Sequence, residues 1–288
     1  MAKKDIKSLY IELLKKVLVN EIYIENEMKI FYLVSGLLFN TTVDLKHVLK
    51  PETIPGNIPQ LVRKSKLTGD SLNMVGDNAE IPNTRNFTEY AHSMIGRKRM
   101  DNIQHCVETI MKENIAGDLL EAGVWRGGAT IFMRALLMVH GDESRKVWVA
   151  DSFDGVPPPS LPQDKIDISK SKMPMLAVSL EEVKSLFERY ELLDGQVQFL
   201  KGWFKDTLPS AAIEKLSLLR ADGDLYESTW DVLSNLYHKV TKGGFVIIDD
   251  YNEPGLACKE AVHDFRRLHN IKEALVPIDE MSVFWRKE

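Results

Sequence analysis

Strand-like and helix-like segments alternate without a break from about residue 97 to the end of this 288-residue chain. A helical stretch, Met100 to Glu113, leads to the apolar run "GDLLEAGV". A glycine-rich turn then opens the helix "ATIFMRALLMVH". The pattern continues through "KVWVAD", "SLEEVKSLFERY", "QVQFLKG", a short helix, "LSLLRAD", "STWDVLSNLYHKV", "GFVIID" and "GLACKEAVHDFRRLHN". Strict alternation of this kind implies a parallel sheet with helices on both faces. The last two runs, "EALVPID" and "MSVFWRK", are joined only by "DE". That link is too short for a crossover, so the two should pair as an antiparallel hairpin. Ser228 or Thr229 reads as the N-cap of its helix, with Gly243 past the end.

The expected fold class is therefore α/β. A Rossmann-like sheet of seven strands, the last antiparallel, is the plan of class I methyltransferases. Ahead of it, "IKSLYIELLKKVL" places Leu9, Leu13, Leu14 and Val17 on one helical face, and "MKIFYLVSGLLF" reads as a second helix. Residues 50–86 carry Pro51, Pro55, Pro59 and Pro82 with glycines between, and read as an irregular joint. The expected division is an N-terminal helical cap and linker over 1–84 and a main domain over 85–288. The apolar stretch Ile30 to Phe39 suggests a helical interface and a homodimer. A net charge of −5 argues against nucleic acid or an anionic membrane as the main partner. The start is broken by Glu12, Lys15 and Lys16. It fits neither a signal peptide nor a spanning helix, so a cytoplasmic protein is expected. Cys106 and Cys258 stand far apart and read as reduced thiols.

Ligands of open α/β sheets bind beyond the carboxyl ends of the strands. The first candidate strand ends "LLEAGVWRGGAT", where Gly123, Gly127 and Gly128 allow close backbone approach. Trp125 stands where a dinucleotide fingerprint needs its second glycine. Glu121, ahead of the turn, would repel a pyrophosphate but suit the ammonium of a methionine moiety. That favours S-adenosylmethionine over NAD. Asp151, at the end of the second strand, is placed to hold a ribose hydroxyl pair. Trp203, after the third strand, would stack on an adenine or fill core.

Two acid pairs close the next two strands: Asp222 and Asp224 in "ADGDLYESTW", Asp249 and Asp250 in "GGFVIIDDYN". Either motif alone is an ordinary turn. On adjacent strands of a ligand-binding sheet, three converging acids suit a hard divalent cation such as Mg2+. The fourth would take a proton from a substrate hydroxyl as general base.

Several segments together resemble the macrocin O-methyltransferase family, the metal-dependent sugar O-methyltransferases of macrolide and aminocoumarin antibiotic pathways. They are "YAHSMIGRKRMDNIQ", "LLEAGVWRGGATIFMRALL", "VWVADSFDGVPPP", "VSLEEVKSLFERYELLDGQVQFLKGWFKDTLP", "LRADGDLYEST", "GGFVIIDDYN", "ACKEAVHDFR" and "VFWRK", over roughly residues 88–286. The resemblance implies that Asp222, Asp249 and Asp250 bind Mg2+ and that Asp224 is the general base. It implies that Glu121, Gly123, Asp151 and Ser152 hold the methionine and ribose parts of S-adenosylmethionine, with Gly202 and Trp203 near the adenine. Ser93, Met94 and Ile95 would cover the cofactor, and Asp222 would lie beside it as well as on the ion. The loop over 155–178, with its five prolines, would be a lid. Ala221 and Lys259 depart from the family pattern, where Leu and Arg are common.

The implied activity is Mg2+-dependent transfer of a methyl group from S-adenosylmethionine to a sugar hydroxyl of a glycosylated natural product. A catechol-type or polyketide acceptor stays open within that chemistry. Outside it stand a metal-dependent glycosyltransferase, which also uses D-x-D, and a non-catalytic scaffold.

Overall fold

The apolar runs of the second half pair into a single seven-stranded sheet in the computed structural model, which describes residues 5–38, 40–68, 75–76, 79–80 and 91–288. Its strands are β1 (Asp118–Ala122), β2 (Val147–Asp151), β3 (Val197–Lys201), β4 (Leu216–Ala221), β5 (Val240–Ile248), β6 (Val276–Pro277) and β7 (Val283–Arg286). Their order is β3-β2-β1-β4-β5-β7-β6. The first five run parallel, and β7 pairs antiparallel with both β5 and β6. Every residue of β4 is buried, as expected for a central strand covered on both faces. The chain runs outward from β1 to β3 and then returns to β4. The strand order therefore reverses between β1 and β4, where a crevice opens at the carboxyl ends.

The chain divides into two compact units, Met1–Met100 and Asp101–Glu288. In the first, α1 (Ile6–Leu18), α2 (Ile24–Leu38), α3 (Leu45–Leu49) and α4 (Ile58–Thr68) follow one another. The Asp5 carboxylate caps α1 by accepting from Ser8 N–H at 2.7 Å. The expected apolar face of α1 is buried only at Leu14. Ile11, Leu14 and Leu18 are buried, whereas Leu9, Leu13 and Val17 are exposed. Lys15 shares the buried face and is paired there with Glu12 at 2.5 Å. A polar residue on the inner face hides the true stripe from an apolar count.

The irregular joint expected over 50–86 is also corrected in part, because α4 occupies Ile58–Thr68. Pro59 is its second residue, where the first turn has no N–H partner to lose. Val62 packs with Met28, Phe31 and Ile54. Glu27, 1% exposed, accepts from Asn20 and pairs with Lys66 at 2.6 Å. Beyond α4 the described residues form only a two-residue antiparallel pairing, Val75–Gly76 with Ala79–Glu80. Phe39, and the boundary expected at residues 84–85, lie outside the described residues.

The remaining helices are α5 (Gly96–Glu113), α6 (Gly128–His140), α7 (Leu180–Arg189), α8 (Phe204–Thr207), α9 (Tyr226–Leu236) and α10 (Cys258–Leu268). Helix α9 starts before the expected cap, so Ser228 and Thr229 lie inside it, and its N-cap position is Leu225. Gly243 falls within β5, not in a helix stop. Both cysteines are buried and free. Among the described residues, no helix is long and apolar enough to cross a membrane.

Leu219 on β4 is completely buried. Leu219→Ala should therefore cost about 2–5 kcal/mol in denaturant unfolding. Met138→Ala, at an exposed position on α6, should stay within about 0.5 kcal/mol.

Candidate active site

The backbone ladder runs on past the carboxyl ends of the strands. Gly202 N–H donates to Asp151 O at 2.9 Å and Gly123 N–H to Ala150 O at 2.9 Å. Asp222 N–H reaches Ala122 O at 2.8 Å, and Asp249 N–H reaches Ala221 O at 3.0 Å. Each loop that leaves a strand is therefore fixed to its neighbour. The residues expected from the sequence at strand ends are brought into one row.

The turn after β1 needs its first glycine. Gly123 has φ +90, and a Cβ there would stand 1.8 Å from Asp222 O. Any side chain at this position would push β1 away from β4. Gly127 precedes α6 at φ +79 and offers no side-chain cap, which leaves the first-turn N–H groups open. Asp151 binds the same turn, accepting from Val124 N–H at 2.8 Å and from Phe153 N–H at 2.7 Å. Burial pushes its pKa up against these two donors. Ser152 Oγ donates to Gly155 O at 2.6 Å and closes the loop after β2. Trp203 is half-buried at the start of α8 and leaves the filling of the neighbouring core to Phe204. Ser93, Met94 and Ile95 belong to the first unit. There Ser93 and Ile95 are buried, Met94 is half-buried, and Ser93 N–H donates to Leu18 O at 3.2 Å.

The four aspartates gather at the ends of β4 and β5. One carboxylate oxygen each from Asp222, Asp249 and Asp250 lies within 4.8 Å of the other two. Asp224 adjoins them, and its N–H reaches Asp250 Oδ2 at 3.3 Å. It sits at φ +56, an uncommon conformation that aspartate tolerates better than most residues. Burial, then the charges of its neighbours, holds Asp224 and Asp250 well above the usual carboxylate range. Asp222 is raised for the same reasons. All the candidate ligand atoms are carboxylate oxygens, the donor set a hard divalent cation takes.

One functional group escaped the sequence reading. Arg220, on β4, is completely buried and contacts three acids at once. It donates to Glu121, to Asp249 and, at 2.7 Å, to Asp222. Burial works against its charge, but the three carboxylates hold its pKa well above the ordinary value. The available signal was a charged residue inside the otherwise apolar run "LSLL-R-A": a buried charge requires partners. Glu121 is 2% exposed, and its second oxygen, Oε2, has no hydrogen-bond partner. Burial raises its carboxyl up to about 8, with Asp222 and Asp249 adding to the effect and Arg220 opposing it.

A family model described as macrocin-O-methyltransferase (TylF) matches residues 7–287. The chain is 43% identical over 286 residues to the 8-demethyl-8-(2,3-dimethoxy-alpha-L-rhamnosyl)-tetracenomycin-C 4'-O-methyltransferase of Streptomyces olivaceus, covering 98% of this chain and 94% of that protein. It is 50% identical over 206 residues to the demethyldecarbamoylnovobiocin O-methyltransferase of Streptomyces niveus, covering 70% of this chain and 78% of that one. The solved structure of the O-methyltransferase NovP superposes with a TM-score of 0.76 at 40% identity, covering 98% of this chain and 99% of that chain.

The Glu121 carboxyl moves from an ordinary 4.5 to about 8 on folding, so the folded state keeps a proton that the unfolded state releases between those values. Stability of the ion-free protein should therefore fall as pH rises through that interval, and Glu121→Gln should remove up to about 1.4 kcal/mol per pH unit of the slope. Denaturant midpoints across the interval read the difference between the two proteins.

Proposed function

The chain belongs to the macrocin-O-methyltransferase family, and we propose that it is a cytoplasmic enzyme that moves a methyl group from S-adenosylmethionine to a sugar hydroxyl of a glycosylated natural product, with Mg2+ at its aspartates. The observation that carries the reading is the convergence of Asp222, Asp249 and Asp250 oxygens within 4.8 Å, with Asp224 beside them. The Streptomyces olivaceus relative, a methyltransferase of a rhamnosyl 4' oxygen, supports a sugar as acceptor.

Asp222, Asp249 and Asp250 fit a divalent ion by donor type and by charge. Their cluster carries more negative charge than Arg220 balances, which is why burial and mutual repulsion raise Asp222 and Asp250. An ion held by these three residues would supply the missing positive charge and would lower the pKa of an acceptor hydroxyl. Asp224 takes the hydroxyl proton. Its backbone N–H contact with Asp250 places it beside the proposed ligands, in reach of a hydroxyl bound there. S-adenosylmethionine supplies the methyl group. Glu121 holds the ammonium of its methionine part, and the unpartnered Oε2 of this residue is the acceptor that suits that group. Asp151 and Ser152 hold the ribose, with Gly123 providing room for backbone approach. Gly202 and Trp203 would lie near the adenine. Positioning and electrostatics within this fixed polar frame would supply most of the acceleration. Exposed Leu33 and Leu37 on α2 support the homodimer expected from the sequence.

Asp224→Asn should lower turnover on a glycosylated acceptor by about 10²–10⁴-fold and leave S-adenosylhomocysteine affinity within about twofold. Single-turnover methyl transfer and calorimetry together read both. Near-normal turnover would remove Asp224 from its role as base.

A further inference from the structure

Helix α9 begins two residues after Asp224 and has no cap of its own. Its N-cap residue, Leu225, is 2% exposed and makes no side-chain cap hydrogen bond. A helix start there leaves N–H groups in need of partners. They find one in the proline-rich loop between β2 and α7. The Asp164 carboxylate accepts from Tyr226 N–H at 2.6 Å and from Glu227 N–H at 3.3 Å. Asp164 is 7% exposed. Ser160 of the same loop donates to the Glu227 carboxylate, and Asp164 N–H folds back onto Leu161 O at 3.1 Å.

The same segment also touches the other acid-bearing loop. Gly255 follows Asp249 and Asp250, at φ +85, and a Cβ there would stand 2.3 Å from Ile166 Cδ1. Asp164 and Ile166, two residues apart, therefore reach the segments that follow both acid pairs. Asp224 itself sits in a strained turn at φ +56. Such a conformation persists only where surrounding contacts determine it. The contact from Asp224 N–H to Asp250 Oδ2, at 3.3 Å, is long. The firmer anchor of the turn is the first turn of α9, and that is held by Asp164.

The geometry points to Asp164 as a positioning residue: it caps α9 from the loop and so fixes the turn that aims Asp224. The proline-rich loop is thereby a structural clamp on the acid cluster. The inference rests on the proposed role of Asp224 as base, but the clamp itself is measurable without turnover.

The test compares Asp164→Ala and Asp164→Asn with the wild-type chain. Three quantities are read: amide hydrogen exchange at Tyr226 and Glu227, kcat for methyl transfer, and calorimetric affinity for S-adenosylhomocysteine. In Asp164→Ala the two amides should exchange at least about tenfold faster and kcat should fall by about tenfold or more, because small misplacements of a reacting group are costly. Cofactor affinity should not move. Asparagine caps helices about as well as aspartate but keeps only one acceptor oxygen, so Asp164→Asn should restore the protection of Tyr226, the shorter contact, and part of kcat. Unchanged exchange in Asp164→Ala overturns the clamp, and so does wild-type kcat. Equal loss in the Asn and Ala variants also overturns it, because capping would not be the cause. If the wild-type chain transfers no methyl group, the reading of Asp224 fails, while the exchange comparison still decides the clamp.

Discussion

A single guanidinium holds the crevice together. Arg220 lies in a six-residue strand with no exposed position, and its side chain is completely buried. Burying a lone cation costs several kcal/mol or more, so it must be met by charge. Asp222 at the end of β4 and Asp249 at the end of β5 meet it, and the Glu121 carboxyl on β1 is its third partner. Three neighbouring strands are thereby tied at one point, on the side where a ligand binds. The arrangement also works in reverse. Without Arg220, three carboxylates would face one another in a medium of low dielectric, and folding would force them to protonate or separate. Arg220 balances only part of the negative charge, and burial, followed by mutual repulsion, raises the pKa of Asp222, Asp224 and Asp250. The remainder is what a divalent ion would neutralise.

Backbone geometry makes this electrostatic knot possible. The carbonyl oxygens of Ala122, Ala150, Asp151 and Ala221 each accept an N–H from the loop beyond the adjacent strand. The glycine at 123 lets β1 come within contact of Asp222. The site is thus built on strand ends and not on free loops, which keeps side-chain positions narrow. The proline-rich loop adds its own tie through Trp125 Nε1, which donates to Met175 O at 3.0 Å.

Much of this was legible in the amino-acid order. Apolar runs of β-branched and leucine residues marked all five parallel strands, and the two acid pairs read from the sequence lie together at the ends of β4 and β5. Local chemistry was legible because the glycine turn and its neighbours lie within a few residues of one another. Arg220 was not read, although a charge amid leucines signals a buried pair; its partners lie 99 and 29 residues away along the chain for Glu121 and Asp249. Asp164 was illegible for a stronger reason. The position it caps is occupied by Leu225, and Ser228 with Thr229 offered a plausible local cap in its place. Helix α4 was hidden by Pro59, which breaks helices in their interiors but begins them readily.

The central claim is that Asp222, Asp249 and Asp250 form a divalent-cation site partly prepared by Arg220. The most direct measurement is calorimetric titration of Mg2+ into the chain saturated with S-adenosylhomocysteine, repeated on Asp250→Asn. The account predicts one ion bound per wild-type chain and none in the variant, with cofactor affinity retained in both. A wild-type chain that takes up no ion, or a variant that binds it as tightly, would contradict the account.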